Sequence, residues 1–200
     1  MDNTRKQCSL SRWVRDQFFP DRIVTSPATI DFANLANQGF RIVLLDIDNT
    51  LVCHGSRECD DFAVEIITRI RDTGMHPVIV SNAREDRARS FAASLDVEFI
   101  ANARKPGIGA IQGDLTERQC APHHAIMIGD QLLTDVWSAK KAGIPIIFTE
   151  KRSHKEIITV RLKRIIESWL ITLGGRQKWN DLYDRSLHST SQEGATHDCM

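Results

Sequence analysis

Two hundred residues with a 42% hydrophobic share suffice for one globular domain with a core of its own. Lys plus Arg and Asp plus Glu balance at 26 each, so no overall field argues for a nucleic-acid binder or a trap for acidic substrates, and any charge logic must be local. No run approaches the ~18 apolar residues of a membrane span, the opening MDNTRKQCSLSRW lacks a secretory core, and five cysteines without C-x-x-C spacing favour reduced thiols. The expected location is the cytoplasm, with at most a peripheral place on a membrane surface.

Along the chain, a short amphipathic helix is expected first, over 31–39, opened by Asp31, carrying Leu35 and closed by Gly39. RIVLLD (41–46) reads as the first strand, followed by helix-period apolar positions at Phe62, Ile66, Ile67 and Ile70. PVIVS (77–81) is the second strand, Ala88, Phe91, Ala92 and Leu95 mark the next helix, and VEFI (97–100) is the third strand. HAIMI (124–128) is the fourth; a helix through Leu133, Val136, Trp137 and Ala139 stops at Gly143 before the fifth, IPIIF (144–148). These runs are rich in Ile and Val and lack polar alternation, the pattern of strands buried on both faces. Alternation of strand and helix predicts βαβ units with right-handed crossovers, hence an α/β fold with a three-layer, doubly wound parallel sheet. Residues 154–172 read as a long closing helix whose Ile157, Ile158, Leu162, Ile165, Ile166 and Trp169 stripe is expected to pack on the domain. The expected division is an N-terminal extension (1–25), one domain (26–173) and a flexible tail (174–200) ending in the polar SLHSTSQEGATHDCM.

In open parallel sheets the ligand crevice lies at the carboxyl ends of the strands, and polar residues stand there repeatedly. Asp46 and Asp48 end the first strand, Ser81 and Asn82 the second; Lys105 follows the third, and Asp130 the fourth, with Asp135 five residues on. Three carboxylates crowded in a partly desolvated cleft resist ionisation unless a cation stands among them. Oxygen donors suit Mg²⁺, which binds through one or two carboxylates together with a phosphate oxygen. The expected substrate is therefore a phosphate monoester, with Lys105 and the Ser81 hydroxyl neutralising and hydrogen-bonding its oxygens. The i, i+2 spacing sends Asp46 and Asp48 to one side of an extended chain. One carboxylate can then attack phosphorus while the other protonates the leaving oxygen and later deprotonates a water.

LLDIDNTLV resembles the D-x-D-x-T signature of the haloacid dehalogenase (HAD) superfamily; VIVSNA, ARKPG and MIGDQLLTD resemble its serine, lysine and acidic motifs, in the same order. The resemblance implies a HAD-like Rossmannoid sheet of strand order 5-4-1-2-3. It further implies Asp46 as nucleophile, Asp48 as general acid and base, and Ser81, Asn82 and Lys105 on the substrate phosphate. Mg²⁺ would be held by Asp46, Asp130 and the backbone carbonyl of Asp48, with Thr50 and Asp135 behind them. Neither the stretch between Val52 and Glu58 nor that between Asn82 and Lys105 has room for an inserted cap, so the site is expected to be capless, which in this superfamily implies a large substrate or oligomers that cover each other's sites. PATIDFANLANQGFRIVLLDIDNTLV, GDQLLTD and TVRLKRIIE are similar to the class IIIA group, which contains the bacterial YqeG proteins and the mitochondrial phosphatidylglycerophosphate phosphatases. That group implies a phospholipid phosphate as substrate.

Other readings compete. A nucleic-acid-end phosphatase would also use an open cleft, but the neutral net charge weighs against a nucleic-acid partner. A receiver-type phosphoacceptor would carry its lysine after the fifth strand, not the third; a catalytically idle scaffold would need none of these groups. Cys53, His54 and Cys59, with His123 or His124, invite zinc but match no standard spacing. GIGAIQG (107–113) follows Lys-Pro instead of a strand, so a helix start is expected there and not a dinucleotide loop. Lys151, Arg152, Lys155, Arg161, Lys163 and Arg164 beside Ile and Trp could rest on anionic lipid. The sequence does not speak to oligomeric state.

Overall fold

A computed structural model describes residues 2–53, 56, 58–100, 102–152 and 158–184. His54, Lys155 and the polar end from 185 onward lie outside them, as do the side chains of Arg161 and Lys163.

In chain order the elements are α1 (Asp2–Phe18), β1 (Arg22–Val24), α2 (Phe32–Asn37), β2 (Ile42–Leu45), α3 (Asp61–Asp72), β3 (His76–Ile79), α4 (Glu85–Ser94), β4 (Glu98–Phe99), α5 (Gly109–Glu117) and β5 (Ala125–Gly129). A π-helical turn at Leu132–Val136 then runs into α6 (Trp137–Ala142), followed by β6 (Ile146–Thr149), α7 (Ile158–Gly174) and α8 (Arg176–Asn180). The caps are those the sequence signals. Asp31 and Asp60 accept the Asn34 and Ala63 N–H groups at 2.9 Å, and Gly143 closes α6 at φ 70°.

All strand pairings are parallel, in the order β1-β6-β5-β2-β3-β4. The five strands expected from the sequence thus stand 5-4-1-2-3, with β1 added outside β6. Alternate residues of each central strand face opposite layers. Ile42, Leu44, Met127 and Ile146 join Val14, Phe18, Ile111, Leu115, Ala139 and Leu170 on one side. Val43, Leu45, Ile126, Ile128 and Ile147 join Phe32, Leu35, Ile66, Ile70 and Phe91 on the other. This double burial explains why the strands read as unbroken apolar runs.

The structure adds to or departs from the sequence reading at several points. The segment assigned to an N-terminal extension supplies α1, which packs on α6 and α7, and the edge strand β1; a three-residue strand beginning with Arg22 is too short to show a pattern. The segment assigned to a flexible tail supplies α8 and the Tyr183 bridge to Ile23. Trp179 anchors it, 7% exposed and edge-on to Phe19 and Phe148 at centroid distances of 5.3 and 5.4 Å. Trp179→Ala is accordingly expected to lower unfolding free energy by about 3 kcal/mol in urea; a loss below about 1 kcal/mol would mean this segment is not part of the folded core. On α7 the described part of the stripe faces outward, Ile165, Ile166 and Trp169 being 67%, 45% and 63% exposed, whereas Glu167, Leu170 and Gly174 face inward; Ile157 and the side chains of Ile158 and Leu162 lie outside the described residues. Cys59 and Cys120 carry free thiols but Cys53 is engaged in a disulfide, so the thiols are not all reduced.

Candidate functional site

Register builds the site. Leu45 pairs with Ile79 on one side and Ile128 on the other, so the next residues along each strand emerge level at the carboxyl edge. The ladder runs one step further, through Asp46 N–H to Ile128 at 3.0 Å and Val80 N–H to Leu45 at 2.8 Å. Asp46, Ser81 and Asp130 therefore converge from three neighbouring strands. Gly129 is required there, because a Cβ at this position would lie 2.5 Å from the Asp135 carboxylate.

Lys105 is the hub. Its ammonium, with the side chain 1% exposed, meets Asp46 Oδ1 at 2.7 Å and Asp135 Oδ1 at 2.6 Å. It rides on an irregular stretch in which Asn102 and Arg104 take left-handed backbone conformations, φ 51° and 46°, strain of the kind that persists where surrounding contacts over-determine it. Asn82 supplies such contacts: its amide donates to the Lys105 carbonyl and accepts the Lys105 N–H, both at 2.6 Å. Asn82→Ala removes both bonds, and we expect about 1 kcal/mol less stability together with a several-fold weaker affinity for inorganic phosphate by titration calorimetry; unchanged phosphate affinity would leave Asn82 without this role.

Asp46, Asp130 and Asp135 are each buried and offer carboxylate oxygens that lie within 4.8 Å of one another. Burial is the chief reason the Asp46 carboxyl is pushed up to about 7; Lys105 opposes the rise, and Asp135 and Asp48 add to it. Asp130 is raised well above the ordinary range, again chiefly by burial, with Arg164 opposing. Burial would lower Lys105, but Asp135 and Asp46 outweigh it and raise its pKa. Among the described residues Asp130 Oδ1, the Asn49 amide and Thr50 Oγ1 are buried without a hydrogen-bond partner. A divalent cation fits this donor set: hard oxygens, excess negative charge around one ammonium, and an orphaned carboxylate oxygen.

The groups expected from the sequence do not all share one contact network. Asp46, Lys105, Asp130 and Asp135 come together, with Ser81 buried at the neighbouring strand end and Asn82 locking Lys105. Asp48 is turned aside, held by Arg87 through two bonds of 2.7 and 2.9 Å, while the same guanidinium donates to the Ser56 carbonyl. Arg87 and Arg164 were not read as site residues from the sequence. Arg87 borders the apolar face of α4, one residue before Ala88 and four before Phe91, and that phase was its signal. Arg164 bonds the carboxylate and carbonyl of Asp130 from α7, with no local signal at all.

From 53 to 60 the chain passes to α3 without forming any element among the described residues, and between β3 and α5 stand only α4 and β4, so the described residues include no inserted cap at either place. Fold and site define a doubly wound α/β protein with a carboxylate and lysine centre at its strand ends. A HAD-hydrolase-like family model matches residues 102–159. Over 155 residues the chain is 28% identical to "Probable phosphatase YqeG" of Bacillus subtilis (strain 168), covering 78% of this chain and 90% of that protein. The solved structure of an uncharacterised protein from Listeria monocytogenes serotype 4b is similar at 16% identity with a TM-score of 0.46, over 67% of this chain and 98% of that one. Over these stretches the chain is similar to HAD-like hydrolases and to a protein named a probable phosphatase.

Proposed function

We propose that the protein is a Mg²⁺-dependent phosphomonoester phosphatase that works through a phospho-aspartate. The observation that carries this reading is the buried cluster of Asp46, Asp130 and Asp135 around Lys105 at the carboxyl edge of the sheet; the family and the named relative agree with it. Asp46, Asp130 and the Asp48 carbonyl would hold the cation, which supplies charge neutralisation for the phosphoryl oxygens. An Asp46 oxygen attacks phosphorus, and the bond to the ester oxygen breaks as Asp48 gives that oxygen its proton. Asp48, now a carboxylate, takes a proton from a water that attacks the aspartyl phosphate, releasing inorganic phosphate and restoring Asp46. Asp48 must leave Arg87 to do this. Lys105 and Ser81 hold the phosphoryl oxygens throughout.

The substrate we favour is a phospholipid phosphate such as phosphatidylglycerophosphate, acted on at a membrane surface. No cap element stands over the strand ends among the described residues, and α7, which reaches Asp130 through Arg164, exposes Ile165, Ile166 and Trp169 on its outer face. Exposed apolar residues beside a cleft are suited to a lipid interface; no helix of the described residues is long and apolar enough to cross a membrane.

Phosphate release from an aryl phosphate, compared in Mg²⁺ and in chelator, tests the chemistry; no Mg²⁺-dependent release would refute it. Release from phosphatidylglycerophosphate in anionic vesicles tests the substrate, and equal rates on a soluble sugar phosphate would remove the lipid assignment.

A further inference from the structure

Glu167 sits in the middle of α7, 3% exposed, where a carboxylate is costly unless every lone pair has work. Burial pushes its pKa up. Its partners come from the turn after β5, more than thirty residues earlier. Oε1 accepts the N–H groups of Leu132 at 2.7 Å and Leu133 at 3.3 Å, and Oε2 accepts Arg164 Nη1 at 3.1 Å. That turn needs an outside acceptor: the π-helical segment 132–136 begins after Gln131, whose side chain makes no capping bond. Asp135 Oδ2 accepts the two preceding N–H groups, of Asp130 and Gln131, both at 3.1 Å. Two buried carboxylates thus receive four consecutive backbone N–H groups, one from within the turn and one from α7.

Arg164 stands one helical turn before Glu167 on the same face and links the two halves. Nη1 donates to the Asp130 carbonyl at 2.5 Å as well as to Glu167, and Nη2 bonds Asp130 Oδ2. One oxygen of the Asp130 carboxylate is therefore pinned, and Oδ1 is the buried oxygen that no donor satisfies.

We infer that Arg164 and Glu167 are positioning residues for the cation: from α7 they set the 130–133 backbone and orient Asp130 so that Oδ1 is left to the metal. This inference rests on the metal reading above. An apolar residue at position 167 would pack as readily beside Leu170 but would orphan two N–H groups in the turn that carries Asp130.

The test uses the full chain without substrate. Mg²⁺ titration calorimetry is expected to show a dissociation constant at least tenfold weaker in Glu167→Gln and in Arg164→Met, the usual scale for groups that support a metal ligand. Amide hydrogen exchange at Leu132 and Leu133 should accelerate at least tenfold in Glu167→Gln while the β2 and β3 amides stay as in wild type. Leu170→Ala, which loosens α7 but removes none of the hydrogen bonds to the 130–133 backbone, should lower the melting temperature and leave Mg²⁺ affinity within twofold. Tighter Mg²⁺ binding by Arg164→Met would overturn the inference, because Arg164 would then be a competitor of the cation. An equal loss of affinity in Leu170→Ala would overturn it too, reducing α7 to general support. Should wild type bind no Mg²⁺, the metal reading itself fails and this inference falls with it; accelerated exchange at Leu132 and Leu133 alongside unchanged Mg²⁺ affinity in both variants refutes only the link from turn to metal.

Discussion

Asp46→Asn is expected to cut phosphomonoester hydrolysis by about 10³-fold or more while making the cation-free protein more heat-stable at pH 8. The activity loss follows from removing the attacking oxygen. The stability gain follows from where that oxygen lies: 5% exposed, beside Asp135, with a carboxyl that burial raises from 3.8 to about 7. A carboxyl with a raised folded-state pKa binds more protons folded than unfolded, so its contribution to stability is greatest at low pH and is lost as pH climbs from about 4 through 7. Asparagine keeps an acceptor for the Lys105 ammonium and never ionises. Thermal melts in chelator should therefore show wild type falling relative to the variant between pH 5 and pH 8. Near-wild-type turnover would exclude Asp46 as nucleophile, and parallel pH curves would exclude the electrostatic account.

Lys105→Met should act in the opposite sense on stability. It removes the ammonium that meets Asp46 and Asp135 at 2.7 and 2.6 Å in a site with almost no solvent contact, leaving buried carboxylates uncompensated. Losing one partner of such a group costs about 3–5 kcal/mol, measurable by urea unfolding at pH 8. Two rescues distinguish this from lost packing. Lowering the pH below 6 protonates Asp46 and should recover part of the loss, and Mg²⁺ should recover part of it at pH 8 by standing in as the cation. A loss below about 1 kcal/mol, or one indifferent to both pH and Mg²⁺, would count against the charge balance described for the cluster.

Much of the sheet was legible because its strands are buried on both faces, which leaves contiguous Ile and Val runs, and because polar residues at their carboxyl ends have few other reasons to recur. Asp46, Ser81, Lys105 and Asp130 were readable on that ground, and their assembly needed only the register. What escaped was set by tertiary contact. Glu167, between two isoleucines and a tryptophan, was not singled out from the sequence, yet the turn at 130–133 draws it inward and leaves Ile165, Ile166 and Trp169 outside. Hydrophobic period alone misplaced Ile165, Ile166 and Trp169, since backbone N–H groups in need of an acceptor have no signature in composition. Asp48 was read at the end of the first strand, but nothing local announced that Arg87, 39 positions away, would hold it.

The sheet also ends in a way that bears on solution behaviour. At one side β4 is only two residues long, and Arg118 and His76 reach across to Glu98. At the other, β1 would present a bare row of backbone groups, but the Ile23 N–H donates to Leu182 at 2.9 Å and the Ile23 carbonyl accepts the Asp184 N–H at 3.0 Å. One border is kept short and charged, the other is hemmed by the segment that follows α8. Exposed strand borders are templates for pairing with neighbouring molecules, so proteolytic clipping near Trp179 would do more than loosen a helix. It would uncover a sheet edge able to recruit further copies.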